Sequence, residues 1–416
     1  MRAKVRKKIK IMTIFAACMK KKAKNFENIR TPFYYYDMDI LKDTARKVSE
    51  LAGQYGIEVH YATKANENAR IVSLLGEYGF GVDCVSGDEL RLALNCGIAA
   101  EKIVFAGVGK SDEEILNAGI AGIGALNVES VQELYIINEI ARKYGFTANV
   151  CIRVNPNIDA HTFRYVTSGL NTNKFGVSES EFDELVEMLM QCGNVRFRGI
   201  HYHIGSQITD IENVTRDLCV RANKAAAWFE SRGLKVDMIN LGGGLGVNYD
   251  DPYAEPFPDF GLWFKTIAET IDRRAGRTIH VEPGRSLVAQ CGDLITKVLF
   301  VKETEAKSFV VVDAGMNNLV RPAFYGSFHL IENLSAEERP ALPANQLYDV
   351  VGPVCESSDS WGKGRQLPLT VRGDLLVIHS AGAYGQSMSM RYTLRPIAQA
   401  VYSDRIDEAE KECRIL

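Results

Sequence analysis

Beyond residue 30 the chain alternates short apolar runs, rich in β-branched and aromatic residues, with longer segments whose apolar positions recur at helical spacing. Eight such runs are legible: VHYATKA (59–65), GFGVDCVS (79–86), KIVFAG (102–107), IGALNV (123–128), ANVCIRVNP (148–156), FRGIHYHIG (197–205), MINLGGG (238–244) and RTIHVEPGR (277–285). The segments between them read as helices. In SESEFDELVEMLMQCG, Ser178 stands where an N-cap is expected, Glu181 completes a capping box, and Phe182, Leu185 and Leu189 share one face. Eight βα units over about 250 residues predict an α/β fold, a (β/α)8 TIM-type barrel with its chemistry at the C-terminal ends of the strands.

After residue 290 the rhythm changes. LITKVLFVKET, SFVVVDAG, YDVVGPV and DLLVIHSAGAY read as strands with little helix between them, which predicts a C-terminal all-β domain. The expected division is a basic leader (1–30) outside the fold, the barrel (31–288), and the β-domain (289–416), with a first strand near 31–37 joining the β-domain. No repeat of solenoid period is present. The leader, MRAKVRKKIKIMTIFAACMKKKAK, sets the apolar residues 11–19 between two basic stretches. That run is too short to span a bilayer and lacks a clear small-x-small cleavage site, and Met12 and Met19 are alternative starts. An unstructured or mis-assigned leader is the expectation, with a surface-associated amphipathic tail and an export signal as the other readings.

Composition narrows the partners. With 49 basic and 52 acidic side chains the formal charge is only -3, so no global field attracts nucleic acid, and a small-molecule partner without stable membrane association is expected. Nine cysteines, an odd number with no CxxC pair, argue against a disulfide framework or a zinc site and for a reducing cytoplasm without a bound metal.

Polar residues at the strand ends form a set: Lys64, then Asp83 and Ser86, Arg153 and Asn155, His201 and His203, Gly242, Gly243 and Gly244, and Glu282 and Arg285. Singly, each is ordinary: a solvated lysine, a hydrogen-bonded histidine, a turn of glycines. GGGLG is not the dinucleotide fingerprint, but it follows the seventh strand, where barrels commonly bind phosphate through backbone N–H groups. A phosphate site, an amine, a carboxylate and an imidazole in one barrel mouth are the parts that pyridoxal phosphate requires.

Seven motifs carry a family resemblance: YATKAN, HYHIGSQ, NLGGGLG, VEPGR, DAGMNNLVRPAFYGSFH, VGPVCESSD and AGAYGQSMSMRY. In that order, over about residues 31–404, they resemble the diaminopimelate decarboxylase branch of the barrel-type (fold III) pyridoxal phosphate-dependent decarboxylases. The resemblance implies pyridoxal 5'-phosphate as cofactor and a homodimer with shared active sites. Lys64 would hold the cofactor; a lysine partly desolvated at a strand end suits that role, because burial weakens an amine's hold on its proton. His203 would lie against the cofactor ring. Ser206, Gly243, Gly244, Gly284 and Arg285 would surround the phosphate, with Pro283 and Tyr392 also at the cofactor and Tyr384 near it. Glu282 would keep the ring nitrogen protonated, where fold III racemases carry an arginine. Cys355 would be the proton donor, entering from the partner subunit. His201 receives no role from the resemblance and reads as a barrel-packing residue.

The substrate implied is meso-2,6-diaminopimelate, decarboxylated to L-lysine and CO2 in the last step of lysine biosynthesis. Arg321 with Arg285 would hold its distal carboxylate, Tyr325 would add a hydroxyl, Tyr392 would also touch it, and Glu356 would pair with the distal ammonium. DAHTFRYVTSGLNTNKFG would close over bound substrate, with Lys174 near its end. RYTLRP departs from the family's usual NYNSRP, Arg391 and Thr393 among the differences. Two alternatives stay open: a decarboxylase of another basic amino acid or polyamine precursor (ornithine, arginine, D-lysine, carboxynorspermidine), and a non-catalytic cofactor-binding relative. The presence of Arg321 and Glu356 speaks against the former, and intact Lys64, Glu282 and Cys355 against the latter.

Overall fold

The computed structural model describes residues 23–156, 174–274, 276–337, 339 and 344–413. The chain divides into two units: Thr44–Gly246 with Asp259–Leu287, and the residues up to Asp43 with Val247–Pro258 and those from Val288 onward. Strand β1 (Phe33–Tyr36) belongs to the latter. The former is a closed parallel barrel of β2 (Glu58–Ala62), β3 (Gly81–Cys84), β4 (Ile103–Phe105), β5 (Ala125–Val128), β6 (Ala148–Arg153), β7 (Val195–His201), β8 (Met238–Asn240) and β9 (Thr278–Val281). Each strand coincides with one of the eight apolar runs, β2 and β7 starting one and two residues ahead of theirs. The connecting helices start where short polar side chains cap them, among them Ser111 with Glu114 and the expected Ser178 with Glu181, both full capping boxes.

Register decides what the barrel encloses. Neighbouring strands pair Ala62 with Asp83, Asp83 with Val104, Val104 with Ala125, Asn127 with Cys151, Arg153 with His201, His201 with Asn240, and Asn240 with His280. Side chains alternate faces with a period of two, so this one parity points inward from every strand. It carries Asp83, Asn127, Arg153, His201, Asn240, His280 and, two residues beyond His280, Glu282, all buried. Val104, Ala125, Cys151 and Met238 supply an apolar layer of the same set.

A second polar layer is held by two histidines. His60 Nδ1 lies 3.1 Å from the Lys102 carbonyl and its Nε2 2.7 Å from His280 Nδ1, while His280 Nε2 lies 2.7 Å from Thr278 Oγ1. A carbonyl only accepts, so His60 donates from Nδ1 and accepts at Nε2, and His280 donates from Nδ1 and accepts the threonine hydroxyl. Both rings are neutral in this chain, and burial pushes both pKa values down.

The other unit is an eight-stranded sheet with short helices. After β1 come β10 (Gly292–Glu303), β11 (Ser308–Val312), β12 (Ile331–Asn333), β13 (Asn345–Val351), β14 (Ser360–Pro368), β15 (Leu375–Ile378) and β16 (Gln399–Tyr402). The order is β12-β15-β10-β11-β13-β14, with β1 antiparallel to β10 and parallel to β16. Residues 23–30, assigned from the sequence to a leader outside the fold, are a correction. Ala23, Phe26 and Ile29 are buried in one apolar cluster with Phe33, Ile295, Leu334, Leu375, Val377 and Val401, and burying such side chains is worth about 1.5–3 kcal/mol each. Residues 1–22 lie outside the described residues. The strap Val247–Pro258, within the range assigned to the barrel, also belongs to this sheet-bearing unit. Among the described residues no helix is long and apolar enough to cross a membrane.

Candidate active site

At the barrel mouth, β2 stops at Ala62, and Thr63–Ala65 forms one 3-10 turn, so Lys64 rides on that turn and not on a strand tip. Thr63 Oγ1 donates to the Asp83 carbonyl at 3.0 Å or to Glu89 Oε2 at 2.9 Å, fixing the turn. Lys64 Nζ lies 3.0 Å from Asp83 Oδ2; the lysine side chain keeps 30% exposure while the aspartate has none. Burial and the nearby Glu282 push the Asp83 pKa up to about 7 against the opposing pull of Lys64. Near neutral pH Asp83 can therefore take up or release a proton beside Lys64 Nζ. Asp83 Oδ1 is buried without a hydrogen-bond partner among the described residues.

Glu282 follows β9 and is gripped at both oxygens. His201 Nε2 donates to Oε2 at 3.1 Å and Asn240 Nδ2 to Oε1 at 2.6 Å. Burial alone would raise its pKa, but His201 and Lys64 outweigh that and hold the carboxyl below the usual range, hence ionised. Asn240 also accepts the Gly242 N–H at 2.9 Å through Oδ1, so one amide links the carboxylate to the glycine cluster. Gly242 sits at φ +69°, and a Cβ on Gly243 would collide with the Glu282 carbonyl, so only glycine lets the chain pass this close.

His203 lies at the mouth with Nδ1 3.4 Å from the Gly243 nitrogen. Burial together with the Lys64 and Arg153 charges pushes its pKa well down, leaving a neutral ring. Arg285 is buried with Nε and one terminal nitrogen 3.3 and 3.0 Å from Ser206 Oγ. Lys64, Asp83, His203, Ser206, the glycines, Glu282 and Arg285 thus occupy one end of the barrel.

Three expected mouth residues do other work. Ser86 caps the helix Gly87–Asn95 by accepting from the Glu89 nitrogen at 3.2 Å. Arg153 pairs with Glu129 at 2.7 Å beneath the Phe175 ring, and Asn155 Nδ2 donates to the Phe175 carbonyl at 3.1 Å. Glu129 also accepts the Gly176 N–H at 2.8 Å. Lys174 places Nζ 5.3 Å from the Phe175 ring. Residues 157–173, most of the segment expected to close over substrate, lie outside the described residues. His201, read from the sequence as packing, is instead a direct partner of Glu282. Asn240 was missed; its signal was a polar residue inside a three-residue strand just ahead of the glycines.

On the sheet-bearing unit, Cys355 and Glu356 are exposed on a turn that Asp359 holds, its carboxylate accepting from the Met316 and Val354 nitrogens at 2.7 and 2.6 Å. The Tyr392 hydroxyl donates to the Glu356 carboxylate. Arg321 is buried, whereas Tyr325 is half-buried against the Phe324 ring. Tyr384 and Thr393 hold left-handed backbone at φ +56° and +53°.

Comparison with known proteins gives the arrangement a context. A family profile described as "Pyridoxal-dependent decarboxylase, pyridoxal binding domain" matches residues 40–289. The diaminopimelate decarboxylase of Bacteroides thetaiotaomicron is 45% identical over 383 residues, 92% of this chain and 97% of that protein. The structure of diaminopimelate decarboxylase from Helicobacter pylori complexed with L-lysine superposes with a TM-score of 0.82 at 38% identity, over 93% of this chain and 98% of that one. The arginine decarboxylase of Paramecium bursaria Chlorella virus, at 22% identity and a TM-score of 0.78, shares the fold.

Proposed function

We propose, since the chain belongs to the pyridoxal-dependent decarboxylase family, that it converts meso-2,6-diaminopimelate to L-lysine and CO2 as a cytoplasmic enzyme of lysine biosynthesis. The observation that carries the reading is the buried, ionised Glu282, fixed by His201 and Asn240 at the same barrel end as Lys64. Similarity over nearly the whole length to named diaminopimelate decarboxylases selects this substrate over ornithine or arginine.

The residues present fit pyridoxal 5'-phosphate. A partly exposed amine faces the mouth, a carboxylate held in its charged form lies within it, and the glycine cluster, where a side chain on Gly243 would collide with the Glu282 carbonyl, presents bare backbone beside them, the kind of surface to which a phosphate binds. When bound, the group supplies an electron sink for the pair left behind as CO2 departs. Lys64 would hold it, and Asp83, with its pKa near neutrality, would take up or return a proton at Lys64 Nζ. Glu282 would keep a proton on the ring nitrogen by charge pairing. His203, neutral, would lie against the ring. Ser206, Gly243, Gly244, Gly284 and Arg285 would receive the phosphate; the bond from Arg285 to Ser206 supports a place for that arginine at the phosphate, beside its expected contact with the distal carboxylate.

The remaining roles fall on the sheet-bearing unit. Arg321 would bind the distal carboxylate and Glu356, aligned by Tyr392, the distal ammonium. Cys355 would deliver a proton to the product carbon. In a homodimer with shared sites, Cys355 and Glu356 would serve the partner's Lys64.

The experiment is complementation. Lys64→Ala and the double variant Cys355→Ala with Glu356→Ala are each expected to release no CO2 from meso-diaminopimelate. Random subunit exchange makes about half the dimers mixed, each with one intact site of two, so about a quarter of wild-type activity returns. No rescue, with exchange verified by differently tagged chains, refutes the shared site. Full activity in Lys64→Ala alone refutes the cofactor assignment.

A further inference from the structure

Arg321 opens the short helix Arg321–Tyr325, and Gly326, in left-handed conformation, ends it and turns the chain back. That return brings His329 against the arginine: Nη1 of Arg321 lies 2.8 Å from His329 Nε2, and His329 Nδ1 lies 2.7 Å from the His379 carbonyl. A guanidinium only donates and a carbonyl only accepts. His329 is therefore the neutral tautomer with its proton on Nδ1 and a lone pair facing Arg321. Both ring nitrogens are committed, and the residue is 1% exposed.

The strap from Val247 to Pro258 completes the setting. Tyr249 presents its ring face to the guanidinium, 4.5 Å from centroid to Cζ, and packs edge-on against His329 at 5.0 Å and 70°. Four residues on, Tyr253 donates its hydroxyl to Glu332 at 2.5 Å and packs on His379 at 5.5 Å. His379 is itself pinned, with Nε2 2.8 Å from Glu332 and Nδ1 3.4 Å from Asp293. The carbonyl that orients His329 thus belongs to a residue held between two carboxylates.

We infer that His329 is a positioning residue for substrate specificity: it fixes the plane and rotamer of Arg321, and so sets recognition of the distal carboxylate. The inference rests on the reading of Arg321 as the group that binds that carboxylate. An arginine ordered in advance loses less side-chain freedom on binding than one that must be ordered by the ligand, and a bidentate fork recognises a carboxylate only in one plane.

Two near-isosteric substitutions separate positioning from structural support. His329→Asn keeps a donor where Nδ1 stands, toward the His379 carbonyl, but removes the acceptor for Arg321; His329→Gln places an amide oxygen where Nε2 stands and restores that acceptor. The holoenzyme is assayed for inhibition by L-lysine, which carries the carboxylate in question, and by 1,5-diaminopentane, which lacks it. The ratio of the two inhibition constants is expected to fall about tenfold in His329→Asn and to return within about threefold of wild type in His329→Gln, as loss and recovery of one charge-assisted hydrogen bond require. KM for meso-diaminopimelate rises in the asparagine variant with kcat little changed. A purely structural role gives the reverse order, with asparagine tolerated and glutamine impaired, and overturns the inference. Arg321→Ala is the control for the underlying reading. If it collapses the ratio while His329→Asn leaves it intact, the inference fails alone; if Arg321→Ala also leaves it intact, the assignment of Arg321 itself fails. Should His329→Asn not fold, Tyr249→Leu removes the ring beneath the guanidinium with both His329 bonds in place, and an unchanged ratio there overturns the proposal.

Discussion

Replacing one atom tests the electrostatics of the barrel mouth. Asn240→Asp keeps the shape of the side chain and the acceptor for the Gly242 N–H, but exchanges the donor that lies 2.6 Å from Glu282 for a second oxygen. A hydrogen bond to a charged acceptor is worth about 1.5–3 kcal/mol. If the ionised carboxylate is what the reaction needs, kcat/KM falls by about ten- to 150-fold from that loss alone, at about 1.4 kcal/mol per tenfold. Two carboxyls at this distance in a buried site cannot both ionise, so one takes a proton and the pair's upper pKa rises. The sign of the pH dependence follows. Once protonated, the introduced carboxyl can donate to Glu282 as the amide did, so activity recovers as the pH falls and is poorest on the alkaline side. The measurement is kcat/KM for CO2 release across mildly acidic to mildly alkaline pH, beside a thermal melt showing that the barrel is intact. A rate that stays within about threefold of wild type even on the alkaline side, or a loss that deepens on acidification, would refute the view that Asn240 maintains the charge on Glu282.

Two further outcomes are expected. Burial alone would lower the His379 pKa, but Asp293 and Glu332 raise it to about 9 from 6.5. This contributes about 3 kcal/mol of stability that is complete below about pH 6.5 and lost as the pH rises through 9. In denaturant titrations the gap between wild type and His379→Gln therefore shrinks over that interval, and a constant gap contradicts the ion-paired histidine. Thr393, at φ +53° and ψ +27°, occupies backbone that costs an ordinary L-residue about 1–2 kcal/mol and that asparagine tolerates. Thr393→Asn is expected to raise Tm by a few degrees; an unchanged or lower Tm sinks the strain argument.

What the sequence made legible was whatever sat at the end of an apolar run. Lys64, His203, Gly243 and Glu282 interrupt or end hydrophobic patterns, and the period-two rule then gathers them at one mouth. The same rule misread Ser86. SGDE also carries the Ser-x-x-Glu signature of a helix start, and the backbone N–H groups of that helix claimed the hydroxyl. The leader was drawn too long for a related reason. Phe26 and Ile29 lie among charged and polar residues with no helical or strand period, so their burial against Phe33 and Ile295 is set by a strand some 270 positions away.

Roles defined by a distant partner left no local trace. Glu282 is a single carboxylate in sequence, and its ionisation depends on donors 42 and 81 residues earlier. His201 and Asn240 pair across β7 and β8, and Asn240 with His280 across β8 and β9, so neighbouring strands bring these inward-facing polar groups together. A polar group in an apolar barrel is costly unless it is satisfied, by roughly 1–3 kcal/mol each. Such groups are tolerable where they satisfy one another, as His60, His280 and Thr278 do, or where a charge organises them, as Glu282 does. The first arrangement needs only the folded chain. The second keeps a carboxylate ionised out of water, a state that the neutral core gains nothing from and that, on the proposed reading, would hold a proton on the ring nitrogen of the bound cofactor. That difference separates two histidine-containing polar layers of one barrel, and it is why substitutions around Glu282 are expected to show first in kcat/KM, whereas substitutions at His60 or His280 should show first in the thermal melt.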